Sequence, residues 1–116
     1  KLHYSSELSF LNLIKMKLFV TGIGTDVGKT VASAIITQAL EADYWKPIQA
    51  GDLDNSDSHK VKSQITNPKS QIFENSYKLN TPASPHLAAT IDGITIDLKK
   101  IIEPKTKNHL IIASSI

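Results

Sequence analysis

The sequence predicts an α/β fold, an open and mostly parallel sheet flanked by helices. Three observations predict it: short apolar runs alternate with helical patterns, a glycine-rich loop joins the first run to the first helix, and the composition is that of a globular domain. Of the 116 residues, 41% are hydrophobic and 21% charged, a balance that excludes a disordered tail or a membrane-embedded chain. The length suits one small domain. Thirteen basic residues, all lysine, face 11 acids, and the net charge of +2 forms no polybasic stripe. Neither nucleic acid nor a membrane surface is therefore an expected partner. The lack of cysteine excludes disulfide scaffolds and thiolate chemistry and fits a cytoplasmic location.

Residues 1–15 read as an upstream extension and residues 16–116 as the domain, because Met16, the sole methionine, stands directly before the first strand. The run Leu8–Ile14 is too short to span a bilayer and has no small-residue cleavage site after it. Lys17–Thr21, apolar and bounded by Gly22, predicts a buried strand. Val31, Ala32, Ala34, Ile35, Ile36, Ala39 and Leu40 supply the apolar face of a helix that starts near Lys29 and ends near Glu41–Asp43. Tyr44–Ile48 is a second strand, completing a βαβ unit, with Pro47 able to end it because proline donates no ladder hydrogen bond. Asp57 or Ser58 can cap a short helix that runs through Ile65 and stops before Asn67-Pro68. Gln71–Leu79 reads as an edge strand, Thr81–Pro85 as a rigid turn feeding a short helix at His86–Thr90, and Asp97 as the start of another short helix through Ile102. Asn108–Ile112 is a last buried strand.

The chemistry concentrates in Gly22-Ile23-Gly24-Thr25-Asp26-Val27-Gly28-Lys29-Thr30, between the first strand and the first helix. Glycines let backbone N–H groups turn inward around phosphates, and the helix N-terminus adds positive potential. Lys29 can reach the terminal phosphates and the Thr30 hydroxyl can ligate Mg²⁺. The usual spacing asks for glycine at position 23, where Ile23 stands, with Gly22 one residue further out. A loop that merely packs the helix is the blander reading; Gly-Lys-Thr between a strand and an amphipathic helix favours nucleotide binding.

Val20–Thr30, with this loop longer by one residue, resembles the dethiobiotin synthetases, ATP-dependent enzymes of biotin biosynthesis. Lys46-Pro47-Ile48-Gln49-Ala50-Gly51 is similar to that family's Lys-Pro segment, Asn55-Ser56-Asp57 to its acidic metal site, and Pro82-Ala83-Ser84-Pro85-His86 to its substrate-side turn. The resemblance implies a P-loop NTPase-like sheet and a reaction in which CO₂ and 7,8-diaminononanoate form the cyclic urea of dethiobiotin while ATP becomes ADP and phosphate. It implies ATP binding by Gly24, Thr25, Asp26, Val27, Gly28, Lys29 and Thr30, and Mg²⁺ held by Thr30 and Asp57 with help from Asp26. Lys29 and Lys46 would stabilise charge on the transferring phosphoryl and carbamate groups. Substrate would meet Lys46, Gln49, Ala50, Ser84 and Pro85. A homodimer is the family's assembly.

Residue type alone leaves alternatives. Asp57 serves equally as a helix cap or a metal ligand, Asp26 as a turn former, and Ser84 and Pro85 as a helix start. Ala50 stands where many family members carry a hydroxyl, and Ala113 where an acidic second metal ligand is expected. The resemblance covers the family's N-terminal part, so the expected domain is incomplete, with an exposed sheet edge and little or no activity by itself. A partitioning-type P-loop switch ATPase is the alternative class. It normally has a further lysine early in the loop, where Gly24 and Thr25 stand here. A nonfunctional fragment is the third reading.

Overall fold

The computed structural model describes residues 15–22 and 26–115, and of Asp26 and Val27 only the backbone. The expected extension up to residue 14, and the loop residues Gly24 and Thr25, lie outside the described residues. In chain order the elements are β1 (Lys17–Val20), α1 (Asp26–Ala39), β2 (Asp43–Trp45), β3 (Ile48–Ala50), α2 (Asp57–Gln64), β4 (Tyr77–Leu79), α3 (Pro85–Asp92) and β5 (Leu110–Ala113). Single 3₁₀ turns cover Leu53–Asn55 and Leu98–Lys100.

β5 lies between β1 and β2 and runs parallel to both, Leu110 standing opposite Lys17 on one side and Asp43 on the other. Its run Leu-Ile-Ile-Ala is buried throughout, as a central parallel strand requires. Successive side chains serve opposite faces. Ile111 and Ala113 pack with Ala34, Tyr44 and Val61, whereas Leu110 and Ile112 pack with Trp45, Phe73 and Ile101. Among the described residues β1 pairs only with β5, and Phe19 is 73% exposed.

α1 begins at Asp26 rather than near Lys29 and ends at Ala39. Its buried face also differs from the expected apolar stripe. Thr30, Ser33, Ala34 and Thr37 are buried, while Ile35 is 62% exposed. Small residues let the helix approach the sheet closely, and the Ser33 and Thr37 hydroxyls donate to the Lys29 and Ser33 carbonyls one turn back, at 2.8 and 2.6 Å. A period-3.6 pattern of aliphatic residues overlooks such a face, because two of its members are hydroxyl residues that satisfy themselves locally.

The single strand expected over Tyr44–Ile48 is two. β2 belongs to the three-stranded sheet, whereas β3 pairs in parallel with β4, Ile48 opposite Tyr77. Pro47 lies at the break and its carbonyl accepts from the Ser76 and Tyr77 N–H groups at 2.7 and 3.1 Å. The expected edge strand over Gln71–Leu79 is interrupted at the same level: Ile72 forms a parallel bridge to Tyr44, and strand proper resumes only at Tyr77. Buried Asp43 fastens the neighbouring loops. Its carboxylate accepts from the Gln71 N–H at 2.8 Å, from the Asn108 side chain at 3.0 Å and from the Thr106 hydroxyl.

α2 is capped by Ser56, correcting the assignment of Asp57 or Ser58 to that role. The Ser56 hydroxyl accepts from the His59 N–H at 3.3 Å while the His59 ring accepts from the Ser56 N–H at 3.1 Å. This is a capping box with histidine in the place usually taken by glutamate or glutamine. α3 starts with Pro85 in its first turn and ends at Gly93, in the left-handed region with φ 71°. Beyond it the expected helix from Asp97 is the one 3₁₀ turn, capped by the Asp97 carboxylate on the Lys99 N–H.

Two contacts hold the turn before α3. The Asp92 carboxylate accepts from the Asn80 N–H at 2.6 Å and from the Thr81 N–H and hydroxyl. Gly51, with φ +76°, lies so close to Pro82 that an added Cβ would stand 2.6 Å from the Pro82 Cβ. Left-handed backbone and close approach both demand glycine there. Gly51→Ala should therefore cost about 2 kcal/mol or more, read from denaturant unfolding. The Thr81 hydroxyl, and to a lesser degree the Asn80 and Thr81 backbone N–H groups, hold the Asp92 carboxyl below the usual carboxylate range. The unfolded chain thus binds this proton more readily. The latch contributes fully above the ordinary carboxylate value and is lost as pH falls through the depressed one. Between about pH 5 and 3, Asp92→Asn should lose stability less steeply than the unsubstituted chain in acid unfolding curves.

Candidate functional site

Parallel strands place their carboxyl ends along one edge, and there an α/β sheet presents its loops to a ligand. β1 delivers Thr21 and Gly22, β2 delivers Lys46, β3 delivers Gly51, and β5 delivers Ser114 and Ser115. Gly28, Lys29 and Thr30 occupy the start of α1, with Thr30 buried. The N-terminal amides of this helix carry the partial positive charge that favours an anion.

Residues 114–115 tie the two halves of this edge together. The Ser114 N–H donates to the Val20 carbonyl at 3.0 Å, continuing the β1–β5 ladder. The Lys29 Nζ donates to the Ser114 carbonyl at 2.7 Å, and the Thr21 hydroxyl meets the Ser114 hydroxyl at 3.3 Å. One residue on, the Ser115 hydroxyl donates to the Ile48 carbonyl in β3. Sequence reasoning missed both serines as site residues; a polar pair directly after a buried parallel strand is the signal that could have found them. Ala113, at the position where an acid is expected, is the last residue of β5 and is buried against the core cluster.

The break at Pro47 creates the second part of the site. Lys46 falls between β2 and β3, its carbonyl accepting from the Asn75 side chain at 2.6 Å. Its ammonium turns inward and pairs with the Asp57 carboxylate, the two side chains being 5% and 7% exposed. Asp57 is the first residue of α2 rather than its cap, so its carboxylate faces Lys46 and the positive end of the helix together. Desolvation in the core, and secondarily the Asp57 charge, raise the Tyr44 phenol well above its ordinary value. Tyr44 therefore stays neutral.

The remaining predicted residues are distributed unevenly. Gln49 is buried, its Nε2 donating to the Gly51 carbonyl at 3.0 Å and its Oε1 accepting from the Asp57 N–H at 3.4 Å. Ala50 packs against the apolar cluster of Leu79, Ala88 and Ala89. Ser84 is exposed at the start of α3 and makes no capping hydrogen bond with its side chain. Pro85 fills the first position of that helix, and His86 is exposed. Lys46, Gln49, Gly51 and Asp57 thus form one hydrogen-bonded unit, whereas Ser84 and Pro85 sit beyond Pro82 at the α3 end. The side chain of Asp26 lies outside what is described. Among the described residues no three His, Cys, Asp or Glu side chains gather as a metal cage, and no helix is long and apolar enough to cross a membrane.

The parallel sheet with a Gly-Lys-Thr helix start defines a P-loop α/β domain, and a family model described as an AAA domain matches residues 16–115. Curated relatives narrow the class. The chain is 63% identical over 94 residues to the ATP-dependent dethiobiotin synthetase BioD of Christiangramia forsetii, an alignment covering 81% of this chain and 45% of the relative. It is 50% identical to the protein of that name from Afipia carboxidovorans over 96 residues, 83% of this chain and 46% of the relative. The corresponding Chlamydia pneumoniae protein is 46% identical over 102 residues, 85% of this chain and 44% of the relative. The chain belongs to the dethiobiotin synthetase family, and it spans a little under half the length of these relatives.

Removing one member of the buried pair strands the other's charge. Asp57→Ala should destabilise by about 3–5 kcal/mol in denaturant titration. Replacing both, as Lys46→Met with Asp57→Leu, should cost less than Asp57→Leu alone, a non-additivity measured by the cycle of Lys46→Met, Asp57→Leu and the double variant.

Proposed function

We propose that this chain carries the nucleotide- and carboxylation-side machinery of an ATP-dependent dethiobiotin synthetase. In the whole protein it would act with Mg·ATP, CO₂ and 7,8-diaminononanoate. What supports the reading most is the bringing together, along one strand edge, of Lys29 at the head of α1 and the buried Lys46–Asp57 pair, bridged through Ser114 and Ser115.

The reaction joins two anions, a carbamate and a terminal phosphate, and then closes a ring. Its main barrier in water is charge repulsion, so fixed cations are the residues that matter. Backbone N–H groups from Gly24 to Thr30 would cradle the phosphates, and Lys29 would leave the Ser114 carbonyl for a phosphate oxygen, exchanging a neutral acceptor for a charged one. Lys46 would stabilise the carbamate and the phosphoryl oxygens facing it. Its burial excludes water and strengthens that interaction. Attack of the carbamate oxygen on the γ-phosphorus releases ADP and gives a mixed anhydride. The second amine then attacks the carbonyl carbon and expels phosphate, closing the cyclic urea.

The donor set suits magnesium. The Thr30 hydroxyl and the Asp57 carboxylate are hard oxygen ligands, and an ion that arrives with a nucleotide keeps several waters and needs only one or two carboxylates from protein. When bound it would neutralise phosphate charge during transfer. Substrate contact at Ser84 and Pro85 and a cytoplasmic homodimer complete the proposal.

Titration calorimetry with a non-hydrolysable ATP analogue and Mg²⁺ tests the core of this reading. Saturable binding is expected, weakened at least about tenfold in Lys29→Ala, the worth of one charged hydrogen bond. A folded chain that does not bind, or a Lys29→Ala variant that binds equally well, overturns it.

A further inference from the structure

Gln49 stands out among the site residues because both ends of its amide are used within the protein. It is 5% exposed. Its Nε2 donates to the Gly51 carbonyl at 3.0 Å, and its Oε1 accepts from the Asp57 N–H at 3.4 Å. Two hydrogen bonds of opposite sense fix the plane of the amide and tie it to the backbone on both sides.

The neighbours on each side are themselves fixed. Gly51 is pressed against Pro82 with a left-handed backbone, and its N–H donates to the Leu79 carbonyl at 2.8 Å. At the other end Asp57 opens α2, where the first N–H groups have no partner within the helix. Ser56 satisfies the His59 N–H, and Gln49 takes that of Asp57. A continuous path therefore runs from the Pro82–Pro85 turn through Gly51 and Gln49 to Asp57, and from its carboxylate to Lys46.

We propose that Gln49 is a positioning residue that sets the Asp57 carboxylate for the metal accompanying the nucleotide and links that carboxylate to the Pro82 turn. The inference rests on the metal and nucleotide reading given above. Partners that orient a ligating carboxylate commonly matter about 10–100-fold for metal affinity. A purely structural glutamine would alter all binding together. A positioning glutamine should alter the metal-dependent part alone.

The test compares the chain with its Gln49→Met variant, which keeps length and removes both hydrogen bonds. The non-hydrolysable ATP analogue is titrated with and without Mn²⁺, and metal binding is followed by water-proton relaxation. Metal-free nucleotide affinity should stay within about twofold, whereas the gain conferred by Mn²⁺ should fall about tenfold or more. An equal loss of both, or no change in the Mn²⁺ gain, overturns the inference while leaving nucleotide binding by the chain intact as a reading. Absence of any Mn²⁺-dependent binding in the unsubstituted chain overturns both. A second measurement needs no variant: in NMR spectra of the unsubstituted chain, the Gln49 side-chain NH₂ protons should resist solvent exchange and shift when Mg²⁺ joins the nucleotide. Exchange at the rate of a free amide, or no shift, overturns the inference even where Gln49→Met fails to fold.

Discussion

A central parallel strand has two hydrogen-bonding edges and two faces to bury, and β5 meets all four demands with four residues. Its edges are taken by β1 and β2, its faces by two apolar clusters. An unpaired backbone N–H or carbonyl at such depth costs as much as a lost hydrogen bond, so the register of three strands is fixed together. The placement of the site depends directly on that register. Strands locked in parallel end at the same level, and Lys29, Lys46 and Ser114 come from different parts of the chain to one edge only because β5 holds their strands there.

The second constraint is the break after β2. Proline cannot donate to a ladder, and the interruption at Pro47 turns the Lys46 side chain into the protein rather than along a strand face. Once a lysine is buried, its charge must be answered, and the first residue of α2 answers it. The pair is an electrostatic store more than a source of stability: desolvation offsets most of its attraction, so its retention is better explained by what the two charges do when an anionic ligand arrives. The role proposed above for Asp57 and Lys46 accords with that balance.

The same economy of partners runs through the surrounding loops. Asp43 closes three segments with one carboxylate, and Asp92 holds the turn before α3 with another. Gly51 and Gln49 convert the turn after β3 into a rigid connection. Each ties a loop to its neighbours through backbone or side-chain hydrogen bonds.

How far the sequence carries differs from element to element. Leu110–Ala113 is legible because an unbroken apolar run has one economical fate, a doubly covered strand, whereas Lys17–Val20 forms the expected strand but not a buried one, with Phe19 73% exposed. Gly28-Lys29-Thr30 is legible as a P-loop helix start because that triplet at the head of a helix is chemically specific, and Pro85 because its fixed φ suits a first helical turn. The buried face of α1 is not, since hydroxyls bonded to their own helix behave as apolar surface. The split of Tyr44–Ile48 between two sheets is not, since Pro47 signals the end of a strand but not the sheet in which the chain resumes. Asp57 reads equally as cap or ligand in the sequence, and in the structure Ser56 takes the cap. By itself, then, the sequence determined the fold class, the family and the identity of the charged residues, because these rest on local pattern and residue chemistry. Only the tertiary structure decided that Lys46 pairs with Asp57, that Gln49 turns inward and that Ser114 and Ser115 bridge the edge, because those choices depend on which backbone groups remain unsatisfied once β5 has set the strands in place.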